Sequence, residues 1–287
     1  MVATFVFTGS LVMGTALHIG GGKATLSSDS PVALAPDQKP YIPGSSFKGA
    51  LRSTVEKMAA NLPGFTSCAL IELSADELKE ALPRGKELKA LCPTIRQKSV
   101  FARRQSAEED QTRLTSEIFD TLCDTCQLFG SPFAASRVNV SDLYTTDDDW
   151  SGVLQVRDGV AIDRDTEKAR DRLKYDFEVV PASAAFALQI LLENATKKDL
   201  QLLCVGLSEF AHGFGVVGGK RSRGLGVAKL EGLEVSALEL FTEGVNEQPV
   251  EDAERRRRLR QYLIKNEFSK TVDGAEFLEA YIGSIFE

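Results

Sequence analysis

The stretch LHIGGGKATLSSDSPVALAPDQKPYIPGSSFKGALR, residues 17–52, constrains the fold most, because a glycine triplet follows an apolar run and leads through a polar loop into a helix. Glycine lets a backbone approach a phosphate closely, since it carries no Cβ atom. Asp29 stands in the polar loop, between Ser28 and Ser30. These features indicate an anion-binding surface with a carboxylate beside it, although an ordinary strand–loop–helix connection has the same pattern.

A helix is predicted after this loop, from about residue 46 to residue 61. Ser45 or Ser46 can cap its first turn, where free N–H groups favour an anion. Lys48 and Arg52 are four residues apart and therefore share one helix face. The apolar residues recur at helical spacing and are expected in the core: Phe47, Leu51, Val55 and Met58.

Composition limits the class of protein. The chain has 287 residues, of which 43% are apolar, as in one large or two small packed domains. It contains no run of eighteen apolar residues. Residues 2–18 predict a first strand, and the N-terminus, MVATFVFTGSLVM, lacks the features of a signal peptide. We therefore expect a cytoplasmic protein. The net charge of −7 argues against polyanion binding by the whole surface but allows a local basic groove.

The cysteines indicate a metal site. Five cysteines, an odd number, in a cytosolic chain do not suggest a disulfide framework. Cys123 and Cys126 form a C-x-x-C pair, with Cys68 and Cys92 upstream. Four thiolates suit a structural, tetrahedral zinc ion. We predict an insertion at residues 62–126, and a small insertion with little core is strongly stabilised by a bound metal. A buried C-x-x-C pair or a redox pair is the alternative, and Cys204 is expected in the core.

The second half of the chain predicts a strand at 137–145, a long hairpin over 153–192 and a helix at 197–212. The hairpin is densely charged, so we expect it to project, either as a solvated arm or against a polyanion or a neighbouring subunit. Six glycines follow between residues 213 and 226, with Lys220, Arg221 and Arg223 among them. Glycine backbone together with cations predicts a phosphate-binding turn, without the spacing of a Walker or dinucleotide motif.

In chain order the predicted elements are strand, helix, strand, strand, helix and strand, an α+β, ferredoxin-like βαββαβ domain of the kind that RNA-recognition modules use. We assign this domain, the palm, to residues 1–61 and 117–240, with a hairpin, the thumb, at about 153–180. A helical C-terminal extension covers 241–287. Its arginine run, 255–258, predicts a solvated helix or a contact with RNA or a subunit.

Four segments together resemble a known family: LHIGGG…DSPV…PYIPGSSFKGALR, CQLFGS, GVAIDRDTEKA…YDFEVVP and GGKRSRGLGVAKL. On these motifs the chain, from about residue 5 to residue 232, is similar to the RAMP superfamily, and within it to the repeating backbone subunit of type III CRISPR effector complexes. The insertion with its C-x-x-C pair resembles the zinc-bearing members of the III-D and III-E branches.

The resemblance implies a subunit that polymerises along CRISPR RNA beside neighbouring RAMP subunits and other effector subunits, and that cuts a complementary single-stranded target RNA. It implies that Asp29 is required for cutting, with Mg²⁺ or another divalent cation. It also implies contacts to RNA from the palm and from the thumb. The palm positions are His18, Gly20, Gly21, Lys48, Arg52, Gly218, Gly219, Lys220, Arg221, Ser222 and Arg223, and the thumb positions are Ile162, Asp163, Arg164 and Thr166.

Three functions remain open from the sequence. In the first, the chain is a guide-bound endoribonuclease, in which a kinked RNA brings its own 2′-hydroxyl in line with a phosphate beside Asp29. In the second, it is a non-catalytic RNA-binding scaffold, and Asp29 only stabilises a turn. In the third, it is a stand-alone nuclease that processes guide precursors with His18 and His212.

Overall fold

The computed structural model describes residues 3–22, 28–68, 122–131, 134–162, 164–165 and 169–287, and for 161–162 and 169–174 it describes the backbone. The longer strands are β1 Ala3–Met13, β3 Val138–Val140, β5 Gln155–Ile162, β6 Ala169–Val179, β7 Ala185–Glu193, β9 Val227–Glu239 and β12 Lys270–Asp273. Two-residue strands are β2 Tyr41–Ile42, β4 Leu143–Tyr144, β8 Gly215–Val216, β10 Thr242–Glu243 and β11 Gln248–Pro249. The helices are α1 Gly44–Ala59, α2 Asp124–Phe129, α3 Lys197–Ala211, α4 Asp252–Lys265 and α5 Gly274–Gly283, with a 3-10 turn at Arg221–Arg223.

One antiparallel sheet carries the fold, in the order β12-β9-β1-β7-β3, with β8 also paired to β9. In β1 and β7 the apolar side chains alternate, so that Phe5 lies opposite Leu192 and Phe7 opposite Ile190. Helices α1 and α3 pack on the sheet, and their Phe47 and Phe210 rings lie 5.1 Å apart. The structure confirms the α+β class and its antiparallel sheet, and it is compatible with the predicted ferredoxin-like fold.

Most predicted elements lie close to their expected bounds. Helix α1 begins and ends two residues before the predicted 46–61, and α3 ends one residue before the predicted 197–212. The predicted strand 137–145 is divided, because β3 pairs with β7 whereas β4 pairs with β2. The predicted long hairpin is also divided, since β5 and β6 form their own two-stranded sheet and β7 returns to the central sheet.

The C-terminal segment contains two helices, α4 and α5, and it also adds a strand to the central sheet. Strand β12 pairs with β9, and Phe277 of α5 contacts Phe7 with ring centroids 5.7 Å apart. The physical reason is that β9 offers a free edge beyond β1, and β12 satisfies its backbone groups. Helix α4 buries no residue, which fits both a solvated helix and a contact with RNA or a subunit, and its Arg257 and Arg258 both bind Glu254.

Much of the predicted insertion, residues 69–121, lies outside the described residues, together with Cys92, a short helix expected at 74–82 and a polar loop expected at 102–113. The division of the chain into palm, insertion and extension therefore stays a prediction. Among the described helices, none has both the length and the apolar composition that crossing a membrane requires.

Candidate nucleic-acid interface

The two glycine turns, residues 16–22 and 217–226, lie against each other. The Gly219 N–H donates to the His18 carbonyl at 2.8 Å, and the Gly226 N–H donates to the Ala16 carbonyl at 2.9 Å. A Cβ atom on Gly218, whose φ is +84°, would lie 2.5 Å from the His18 oxygen. Glycine is therefore needed at this position, and the two turns form one continuous backbone surface.

The first turn folds back on the loop that follows it. The Gly21 N–H donates to the Pro31 carbonyl at 2.8 Å, and a Cβ atom on Gly21 would lie 2.8 Å from the Val32 oxygen. Gly20 and Gly21 are both exposed. The two predicted glycine positions thus lie at the surface, where their backbone is accessible to a ligand.

Asp29 is held at the base of the hairpin. Its N–H donates to Asp176 Oδ1 at 2.7 Å, and the Asp176 N–H donates to Asp29 Oδ2 at 3.1 Å. Two further bonds join the loop to β6, from the Glu178 N–H to the Ser30 carbonyl at 3.0 Å and from the Val32 N–H to Glu178 Oε2 at 3.0 Å. Asp29 itself is exposed, so its carboxylate is accessible to a ligand.

Asp176 and Glu178 were not singled out from the sequence. The signal that could have found them is the alternation in YDFEVVP, which places both acids on one face of β6 and Tyr175 and Phe177 on the other. Acids on an exposed, densely charged hairpin are common, and the pattern alone does not show that they reach a loop far away in sequence.

His18 lies beneath this loop. Its side chain belongs to a residue only 6% exposed, and its Nδ1 lies 2.7 Å from the Glu178 carbonyl oxygen and its Nε2 3.2 Å from Ser30 Oγ. Because a carbonyl can only accept, Nδ1 carries a proton. The resemblance implies an RNA contact for His18. In the structure its ring is buried and binds the Glu178 carbonyl and Ser30 Oγ.

The cations of the second turn lie on the aromatic face of β6. Lys220 Nζ is 4.3 Å from the centre of the Phe177 ring, and the Arg223 guanidinium is 5.4 Å from the centre of the Tyr175 ring. Arg223 Nη1 also donates a hydrogen bond to the Tyr175 hydroxyl. Arg221 donates through Nε to the Gly218 carbonyl at 3.0 Å. The turn Lys220–Arg223 and the loop of Asp29 therefore meet the same strand.

The other predicted RNA contacts are placed differently. Arg52 donates to Glu56 at 2.7 Å, to the Gly130 carbonyl at 2.8 Å and to Cys126 Sγ at 3.3 Å, so it binds within the protein. Lys48 is half-buried, and this burial, together with the charge of Arg52, lowers the pKa of its ammonium. Arg164 is exposed at the hairpin tip, and Ile162 ends β5. Asp163 and Thr166 lie outside the described residues.

Three of the predicted metal ligands converge. The Sγ atoms of Cys68, Cys123 and Cys126 lie within 4.8 Å of one another, and all three residues are buried. Cys123 precedes α2 and Cys126 lies in its first turn, so the C-x-x-C spacing directs both thiols to one side. Soft, buried thiols suit a metal such as zinc, which requires one further ligand. Cys204 lies apart in α3, where burial raises the pKa of its thiol, as expected of a core residue.

Comparison with known proteins gives a family and two relatives. A sequence model of the RAMP superfamily matches residues 11–229. The chain is 43% identical over 56 residues to the CRISPR system Cms endoribonuclease Csm3 of Methanothermobacter thermautotrophicus, covering 18% of this chain and 23% of that protein. It is 41% identical over 68 residues to the protein of the same name from Enterococcus italicus, covering 22% of this chain and 32% of that protein. The chain thus spans about a quarter to a third of the length of the curated relatives it matches.

Proposed function

Since the chain belongs to the RAMP superfamily, we propose that it is a backbone subunit of a type III CRISPR effector complex, which binds guide RNA and cuts complementary target RNA beside Asp29. Its ferredoxin-like βαββαβ palm would carry the RNA, with the β5–β6 hairpin as the thumb and the cysteine-bearing insertion at one side. The names of the two relatives, both CRISPR system endoribonucleases, support this reading.

The observation that carries the proposal is the meeting of three features at β6. The glycine turns expose backbone at Gly20, Gly21 and Gly219. Lys220, Arg221 and Arg223 supply positive charge, and Asp29 stands exposed on a loop that is bound to β6, the strand that Lys220 and Arg223 also contact. Glycine-rich backbone and arginine are typical phosphate ligands. A local basic surface of this kind binds RNA even though the net charge of the chain is −7.

The cutting step needs little from the protein, because RNA brings its own nucleophile. If the thumb holds one nucleotide unstacked, its 2′-hydroxyl can lie in line with the adjacent phosphorus. In one role Asp29 would accept the hydroxyl proton while the 2′-oxygen bonds to phosphorus and the bond to the 5′-oxygen of the next nucleotide breaks. The 5′-oxygen would take a proton from water, and a 2′,3′-cyclic phosphate would remain. In the alternative role the Asp29 carboxylate would hold a divalent cation such as Mg²⁺, which would neutralise charge at the phosphate. One carboxylate with phosphate oxygens is a usual ligand set for Mg²⁺.

Replacing Asp29 in the assembled complex tests the proposal. We expect Asp29→Ala to slow target cutting by about 10²–10⁴-fold, the usual contribution of a positioned base, while target binding is unchanged. Asp37→Ala is a matched control, because Asp37 is also exposed in the same connecting segment and binds Lys39 rather than β6. Wild-type cutting by Asp29→Ala would exclude the catalytic role.

That outcome would favour a non-catalytic guide-RNA scaffold, for which the structure supplies one specific observation. The Asp29 carboxylate accepts a hydrogen bond from the Asp176 N–H, a role that a turn-stabilising acid also has. A histidine-based processing nuclease receives no such support, since His18 is buried beneath its loop and His212 is exposed at the end of α3.

For the cysteine cluster we propose a structural zinc ion held by Cys68, Cys123 and Cys126, with Cys92 as the fourth ligand. Metal analysis of the purified protein should find about one zinc per chain, since a site of four thiolates binds one ion. Cys123→Ser with Cys126→Ser should release the metal and destabilise the insertion. Cys204→Ser, at a buried thiol in α3, is the control that should keep the metal. A well-folded wild-type protein without zinc would contradict the proposal.

A further inference from the structure

We infer that Asp176 and Glu178 of β6 are positioning residues that hold the Asp29 loop in its cutting geometry. The inference rests on the proposed function, because it concerns how that carboxylate is placed. Neither side chain needs to touch the reacting atoms. Their role is to fix a loop, residues 28–32, to β6, the strand that Lys220 and Arg223 of the second glycine turn also contact.

Asp176 and Asp29 bind each other reciprocally. The carboxylate of each accepts the backbone N–H of the other, at 2.7 Å and 3.1 Å. One bond therefore fixes the backbone of Asp29 and the other fixes its carboxylate. An exposed loop acid would otherwise sample several rotamers, whereas a reaction in line with a phosphate requires one defined position.

Glu178 supplies the second attachment, two residues along the same face of β6. Its carboxylate accepts the Val32 N–H at 3.0 Å, and its own N–H donates to the Ser30 carbonyl at 3.0 Å. The His18 ring closes the arrangement from below, between the Glu178 carbonyl and Ser30 Oγ. The loop is thus held on both sides of Ser30, directly after Asp29.

The chemistry of these side chains supports a positioning role. Extra carboxylates beside an RNA phosphate repel it, so their presence requires a gain elsewhere. That gain is their strength as acceptors, because hydrogen bonds from N–H groups to a carboxylate are shorter and stronger than those to a neutral acceptor. The opposite face of β6 holds Lys220 and Arg223 on Phe177 and Tyr175. A shift of the thumb strand would therefore move the carboxylate and the cations together.

The test is single-turnover cutting of target RNA by the assembled complex, measured as a function of target concentration. We expect Asp176→Ala to lower the saturating rate by about 10–100-fold, as misplacement of a reacting group does, and to leave the half-saturating concentration unchanged. Asp176→Asn keeps an oxygen that accepts the Asp29 N–H, so it should recover most of the rate. Glu178→Ala and Glu178→Gln should behave as a second pair in the same way.

Asp37→Ala is again the control and should cut at the wild-type rate, since Asp37 is an exposed acid that binds Lys39 and not β6. The inference is overturned if Asp176→Ala and Glu178→Ala both cut normally, or if the amide variants are as slow as the alanine variants. Failure of the inference differs from failure of the proposed function. In the first case Asp29→Ala is inactive and Asp176→Ala is active, and in the second Asp29→Ala itself cuts normally.

Discussion

At the scale of single residues, close backbone approach decides how the two glycine turns meet. Gly21 faces the Val32 carbonyl and Gly218 faces the His18 carbonyl, each at a distance that leaves no room for a Cβ atom. The sequence marks both turns as unusual because of their many glycines. Which glycine meets which carbonyl follows only from how the turns pack against each other and against the loop of Val32.

Gly218→Ala should lower the free energy of unfolding by about 2–4 kcal/mol. Alanine would have to adopt a left-handed backbone conformation, and its Cβ atom would clash with the His18 carbonyl oxygen. We expect weaker binding of guide RNA as well. Gly224→Ala is the control, since Gly224 also has a positive φ, +78°, but no atom within 4 Å of its Cβ position. Gly224→Ala should therefore lower the free energy of unfolding by only about 1–2 kcal/mol. Urea unfolding measures both, and equal losses would contradict the steric argument.

At the scale of elements, the helices are stabilised by different means. Helix α3 begins with a capping box between Thr196 and Asp199, and Asp199 also binds Arg137 beside β3. Its apolar stripe is buried in the core. Helix α4 buries no residue and depends on ion pairs along its surface, which makes its stability sensitive to pH and salt.

Glu254 should make α4 less stable in acid. Hydrogen bonds from Arg257 and then Arg258 lower the pKa of its carboxyl from 4.5 to about 2. The stabilisation is therefore present above pH 4.5 and is lost as the pH falls through about 2. The difference in Tm between the wild type and Glu254→Gln should be largest near pH 6, shrink towards pH 2 and decrease in high salt. A difference that does not change with pH would contradict this role.

At the scale of the whole molecule, the last residues complete the sheet next to the glycine turns. Strand β12 covers the edge of β9, and Phe277 and Tyr281 of α5 join the core cluster around Phe5 and Phe7. The second glycine turn and the C-terminal segment are therefore attached to the same strand, β9, which starts directly after that turn.

Phe277→Ala should cost about 3–5 kcal/mol of unfolding free energy, the usual loss for a buried phenylalanine. Leu263→Ala in α4 is the control, because that side chain belongs to a residue that is 71% exposed and should change stability by less than about 0.5 kcal/mol. Urea unfolding followed by circular dichroism measures both. Similar small losses for the two variants would show that the C-terminal segment stabilises itself and not the sheet.

The sequence by itself determined the elements and the residue types available for a site. Alternation every second residue and recurrence at helical spacing are local properties, so α1 and α3 were predicted within two residues of their observed bounds. The first strand, predicted at 2–18, ends at Met13. The family motifs, the glycine turns and the cysteines were likewise visible in the chain. Cys92 and the rest of the insertion stay predictions.

Which distant residues touch depends on how the folded elements pack. Asp29 binds Asp176, 147 positions away, and Arg52 reaches Cys126, 74 positions away. The same packing buried the His18 ring and brought β12 to the sheet edge. No local pattern encodes such pairs, because the partner of an exposed acid or a free strand edge is set by how whole elements pack and not by the residues next to it in the chain.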